Sequence, residues 1–149
     1  MALTVKPNPS SDALILAQEL RAFSGKLKRR LRAQADTGDL TPSQTGVLLR
    51  LEDSPATTTS LARAEGIRPQ SMGAIIDVLE AKGFVEGSPD PKDGRQKLLA
   101  MTDHCREWIA HGRSVRQDWL SRVIDNRLSM QERSQLAAVI PLLHRIIEE

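Results

Sequence analysis

No tyrosine occurs in these 149 residues, and the remaining aromatics are two tryptophans and two phenylalanines. RNA-binding sheets and single-strand channels stack bases on aromatic rings, so this scarcity argues against both. It leaves readout of a duplex untouched. Cysteine occurs once, at Cys105, so no intramolecular disulfide can form. No apolar run approaches the roughly 20 residues that span a bilayer. The N-terminal stretch "MALTVKPNPSSDALILAQEL" has no charged start and no signal-cleavage pattern. The expected location is therefore the cytoplasm, with no membrane partner.

Chemistry-bearing motifs are missing too. There is no nucleophile motif, no phosphate-cradling glycine loop and no ordered acid/base pair, so no catalysis and no cofactor are expected. His104, Cys105 and His111 lie close in sequence, but no CxxC or HxxxH accompanies them. Zinc needs three or four clustered ligands, so no metal is expected.

The net charge of +2 is too small to name a partner. Its distribution says more. Residues 1–35 carry seven Lys/Arg against two Asp/Glu, whereas 57–101 carry six of each. The basic excess is concentrated in "GKLKRRLR" (25–32), which reads either as a solvated helix face or as a phosphate-attracting one.

Periodicity and breakers organise the chain as one domain. Residues 1–11 hold Pro7 and Pro9 and read as a loose arm. From Asp12 to about Ala35, Leu14, Ile15, Leu20, Phe23, Leu27 and Leu31 recur at helical spacing, and "DTGD" (36–39) breaks the pattern. A second helix covers 40–52, with Thr41 as N-cap and Pro42 at its first position. A short third helix in 57–66 has Thr57 as cap, Leu61 and Ala62 pointing inward, and Gly66 at its end. A fourth covers 67–83, with Pro69 in its first turn and Gly83 after its last. Two short helices joined by a Gly-containing turn suggest a helix-turn-helix. "FVEGS" (84–88) and "QKLLAM" (96–101) then read as the strands of a hairpin whose loop is "PDPKDGRQ" (89–96).

A long helix runs from Thr102 to near Arg127. A last one in 128–149 opens on a Ser129/Glu132 capping box, and Pro141 inside it should kink or divide it. The fold class expected is mainly α with a small β-hairpin: a winged helix-turn-helix over 40–101, with terminal helices 12–35 and 102–149. Those terminal helices carry more apolar surface than a small winged unit needs, and a two-fold homodimer is the simplest way to bury it.

In order and spacing, "LTPSQ" (40–44), "LA" (61–62), "RPQSMGAIIDVLEAKGFVE" (68–86), "DPKDGRQKLLAMT" (90–102) and "LSMQE" (128–132) resemble the MarR family of bacterial transcription regulators. The resemblance spans roughly residues 20–147. It implies a homodimer that binds pseudo-palindromic double-stranded DNA, most often as a repressor, and that a small aromatic or phenolic effector releases. Family members often start the recognition helix with Ser-Pro; here the pair is Arg68-Pro69. Arg68 cannot cap the helix but brings a long cation to its mouth. Arg68 and Gln70 have the donor geometry for guanine and adenine, Ser71 suits a base or a phosphate, and Ala74 suits a thymine methyl. Ala74 and Val78 stand where polar or basic residues are usual, so this face is poor in charge.

Thr58 and Thr59 open the preceding helix and are candidate phosphate contacts. In the wing, the family pattern Asp-x-Arg matches Asp93 and Arg95. Arg95 is expected in the minor groove with Asp93 holding it, and Lys92 on the backbone. Gly94 and Gly87 stand where further arginines are common, and Gly94 is expected to permit a tight tip. Candidate effector-pocket residues are Phe23, Trp108, His111 and Trp119, with core or dimer packing as the alternative for each. Two other readings remain open: a winged module that binds protein rather than DNA, and a redox-responsive regulator using Cys105, which requires an exposed thiolate.

Overall fold

The computed structural model describes residues 9–36 and 38–148. Most of the expected N-terminal arm lies outside the described residues. The elements are α1 (Ser11–Arg32), α2 (Pro42–Asp53), β1 (Ala56–Thr57), α3 (Thr58–Glu65), α4 (Pro69–Ala81), β2 (Val85–Pro89), β3 (Lys97–Met101), α5 (Asp103–Arg127) and α6 (Met130–Ile147). They divide into two compact units, residues 36–115 and residues 1–35 with 116–149.

Within 36–115, helix boundaries follow local chemistry. Thr41 Oγ1 accepts the Gln44 N–H at 3.2 Å and Gln44 Oε1 accepts the Thr41 N–H at 2.9 Å, so two otherwise orphaned donors are satisfied. Thr57 and Ser60 repeat this arrangement at α3, at 3.2 and 3.1 Å. Arg68 makes no side-chain cap for α4. At the far end of α4 the Gly83 N–H donates to the Glu80 carbonyl and the Phe84 N–H to the Leu79 carbonyl, both at 2.9 Å. Gly83 reaches this turn with φ +72°, a conformation costly for any side chain.

The sheet differs from the expected hairpin. β1 pairs with β3 (Ala56 opposite Leu99), so the order is β1-β3-β2, all antiparallel. A two-residue strand has no periodicity to detect, which is why the segment between the second and third helices carries no strand signal. Beneath the sheet, Val47, Leu51, Leu61, Met72, Leu79, Leu99 and Cys105 are fully buried. The first half of α5 closes this core. Thr102 Oγ1 donates to the Gly83 carbonyl at 2.6 Å and accepts the Cys105 N–H at 3.1 Å.

In the other unit, Ser10 caps α1, which starts at Ser11, one residue before the expected Asp12, and ends at Arg32, three residues before Ala35. α6 opens on the Ser129/Glu132 capping box and runs undivided through Pro141. Pro141 removes the donor for the Ala137 carbonyl. Ala137 is exposed, so water can satisfy that oxygen and the helix continues. α1 and α6 bury no residue. Leu14, Ile15, Leu16 and Phe23 on α1, and Leu136, Val139, Ile140, Leu142, Ile146 and Ile147 on α6, are exposed.

Candidate nucleic-acid interface

α4 is amphipathic by spacing. Met72, Ile76 and Leu79 face the core. Arg68, Pro69, Gln70, Ser71, Ala74 and Val78 are all exposed. At about 100° per residue, Gln70, Ala74, Asp77 and Ala81 form one stripe, with Ser71 and Val78 at its flank. Asp77 therefore sits among the candidate reading residues, a placement legible in its i, i+7 spacing from Gln70 but passed over. A carboxylate there opposes phosphate and can accept from a cytosine amine. Of the α3 candidates, Thr59 is exposed and Thr58 half-buried.

A second feature missed in the sequence fixes α3 beside α2. Arg50 Nη2 donates to the Ala64 carbonyl at 3.2 Å, and its Nε pairs with Glu65. These partners are fourteen and fifteen residues away, so no local pattern announces them. On the other side of α2, Arg113 of α5 grips Glu52 with two nitrogens, at 2.7 and 2.9 Å.

The loop between β2 and β3 is shaped by its own carboxylates. Asp90 Oδ1 accepts the Lys92 N–H at 3.0 Å, and Asp93 Oδ1 accepts the Arg95 N–H at 3.1 Å. The Gln96 carbonyl accepts the Asp90 N–H at 2.9 Å and closes the loop. Arg95 Nε lies 3.4 Å from Asp93 Oδ1, yet the Arg95 side chain is 95% exposed. Lys92 is exposed as well. The Gln96 N–H donates to the Asp93 carbonyl at 2.9 Å, so the tip is the tight turn expected, but the turn does not require Gly94. The φ of Gly94 is not positive, and a Cβ there would meet nothing within 4 Å, because the two Asp acceptors already supply the turn. Gly87 is different: a Cβ there would stand 1.9 Å from Lys97 Cε.

The candidate pocket residues divide between the units: Phe23 and Trp119 in one, Trp108 and His111 in the other. Trp108 stacks on Phe84 with ring centroids 4.9 Å apart, and Phe84 lies in the core. His111 and Phe23 are exposed, and Trp119 is half-buried. Burial pushes the Cys105 thiol up to about 11, with the nearby Arg106 charge only partly opposing it. A protonated, enclosed thiol lacks the thiolate that oxidation sensing uses. Among the described residues no three His, Cys, Asp or Glu side chains are grouped to hold a metal. Among them too, no helix is long and apolar enough to cross a membrane.

Known proteins share this architecture. An HTH-type transcriptional regulator of Mycobacterium bovis is 34% identical over 140 residues, covering 93% of this chain and 96% of the relative. A solved transcriptional regulator protein of Pseudomonas aeruginosa is 32% identical, with a TM-score of 0.76 over 95% of this chain and 99% of that one. A mutant of S. aureus MepR bound to an oligodeoxyribonucleotide shares the fold at 19% identity, with a TM-score of 0.69 over 89% and 98% of the two chains. Residues 38–96, from the turn before α2 to the end of the wing loop, match the signature of the MarR family. With helix-turn-helix and wing on one core and relatives aligned along nearly the whole chain, this protein belongs to the MarR family of winged helix-turn-helix transcriptional regulators.

Proposed function

We propose that this protein acts in the cytoplasm as a homodimeric, sequence-specific repressor of transcription that a small aromatic or phenolic effector releases. The observation that carries the DNA reading is the pairing of two exposed cation sites on one winged unit: Arg68 at the mouth of α4, and Arg95 at the wing tip beside Asp93. Each subunit lays α4 in a major groove and extends the loop 89–96 into the adjacent minor groove. Arg68 and Gln70 read bases, Ser71 and Ala74 complete the α4 contact, and Thr58, Thr59 and Lys92 bind backbone. The exposed apolar residues of α1 and α6 support dimer formation. Two recognition helices about 34–36 Å apart match one helical turn of DNA. An effector lowers affinity by binding better to a dimer with a different spacing.

A second reading, a winged module for protein partners, is favoured by one observation: from Pro69 to Ala81, α4 carries no cation and one exposed carboxylate, Asp77. Selection from random duplex DNA separates the two. The repressor reading expects an enriched inverted repeat with half-sites one turn apart. Recovery of no repeat at low salt favours the protein partner.

A further inference from the structure

Lys97 begins β3 directly opposite Pro89, two positions from the buried Leu99 and so on the same face of the sheet. Its side chain, though half exposed, does not extend straight away from the sheet. It folds across the neighbouring strand over Gly87, where an added Cβ would stand 1.9 Å from Cε and 2.7 Å from Cδ and Cγ. Its Nζ then pairs with Glu80 Oε1 in the last turn of α4. Gly87 has no left-handed φ and lies within a regular strand, so its backbone does not call for glycine. The path of Lys97 does.

One ion pair, threaded over a glycine, thus joins the base of the wing to the C-terminal turn of α4. The Lys97 side chain is 50% exposed and that of Glu80 27%. A pair this wet contributes little to stability, so geometry is the better account of it. We propose that Lys97 is a positioning residue for DNA binding. Held on Glu80 through the gap left by Gly87, it sets the reach of the wing relative to α4, so that Arg95 and the α4 side chains meet adjacent grooves together. This rests on the wing contact proposed above.

The test uses the full chain, the selected operator and a random-sequence duplex. Lys97→Ala and Gly87→Ala should each lower operator affinity, by up to about fivefold, while leaving the thermal midpoint in place. Gly87→Ala should add nothing in the Lys97→Ala background, because the displaced group is already gone. The reversed pair, Lys97→Glu with Glu80→Lys, should recover affinity. Arg95→Ala should cost less once Lys97 is removed, since coupled residues are not additive. Additive losses with no rescue by the reversed pair overturn the proposal and make Lys97 a direct phosphate contact. A fall in thermal midpoint matching the affinity loss also overturns it, in favour of plain stabilisation.

A measurement without DNA separates this proposal from the wing contact. Backbone amide order parameters at Lys92 and Arg95 should fall in Lys97→Ala. If they fall while Arg95→Ala leaves DNA affinity unchanged, Lys97 still braces the wing, but the wing contact fails and the DNA-positioning role fails with it. If they do not fall and the losses are additive, the brace fails.

Discussion

Asp93 holds Arg95 at two points, through the backbone N–H at 3.1 Å and beside Nε at 3.4 Å, while leaving the guanidinium almost wholly in solvent. An exposed pair of this kind is worth about 0–1 kcal/mol to stability. Strengthening the fold is therefore a poor account of the arrangement. Arg95→Ala should weaken binding to every duplex and reduce the slope of log affinity against log salt by about one phosphate's worth. Titrations at several salt concentrations check this. An unchanged slope and affinity would sink the wing contact.

Gly94 offers a gain-of-function test. A side chain there meets open space and needs no left-handed backbone. Gly94→Arg should leave thermal stability within about 0.5 kcal/mol and steepen the salt dependence by about one further phosphate contact. Loss of stability would mean that the tip does use glycine's freedom after all.

Arg68, Gln70 and Asp77 should differ in kind from the wing. Replacing Arg68 or Gln70 by Ala should cost about 1–3 kcal/mol on the operator and relax preference at one base position. Asp77→Asn should raise affinity for non-specific duplex, because it removes a negative charge from the exposed stripe of α4. Competition between operator and random duplex separates these effects. A uniform loss across sequences for Gln70→Ala would assign it to the backbone.

The Glu52 carboxyl is held below the ordinary carboxylate range, chiefly by hydrogen bonds from Arg113, with the Arg113 and Arg106 charges adding and burial opposing. Its value in the folded protein is thus lower than in the unfolded chain, so unfolding takes up a proton. The stabilisation is complete above the ordinary glutamate value and is lost as pH falls through the folded one. Glu52→Gln should cost about 0–1 kcal/mol at neutral pH, the exposed Arg113 side chain limiting it. The difference from the parent should shrink on acidification. Urea denaturation across that range measures it; a difference that stays constant into acid rules out the Glu52 contribution.

Cys105 should be chemically silent in the folded protein. Its Sγ is enclosed, and its thiol is pushed up to about 11. Alkylation near neutral pH should be slow and accelerate only on unfolding. Peroxide should leave DNA affinity unchanged in both the parent and Cys105→Ala. Peroxide-dependent release that Cys105→Ala abolishes would restore the redox reading.

Local chemistry made much of this protein legible from its residues alone. Thr41 with Gln44, and Ser129 with Glu132, sit three residues apart, so their caps are written into adjacent sequence. Gly66 and Gly83 terminate helices because the turn needs a residue free of a side chain. Asp93 and Arg95, two residues apart, could find each other in any hairpin. Helix faces followed from spacing, and the winged class followed from their order.

Tertiary structure decided what depends on partners far along the chain. β1 exists because Ala56 and Thr57 meet β3 more than forty residues later, and two residues carry no pattern of their own. Glu80 and Lys97 are seventeen residues apart, and only the register of β2 against β3 brings Gly87 beneath the lysine. Gly94 and Gly87 look alike in sequence. One faces open space and the other a crossing side chain, because what a glycine makes room for is set by its neighbours in space.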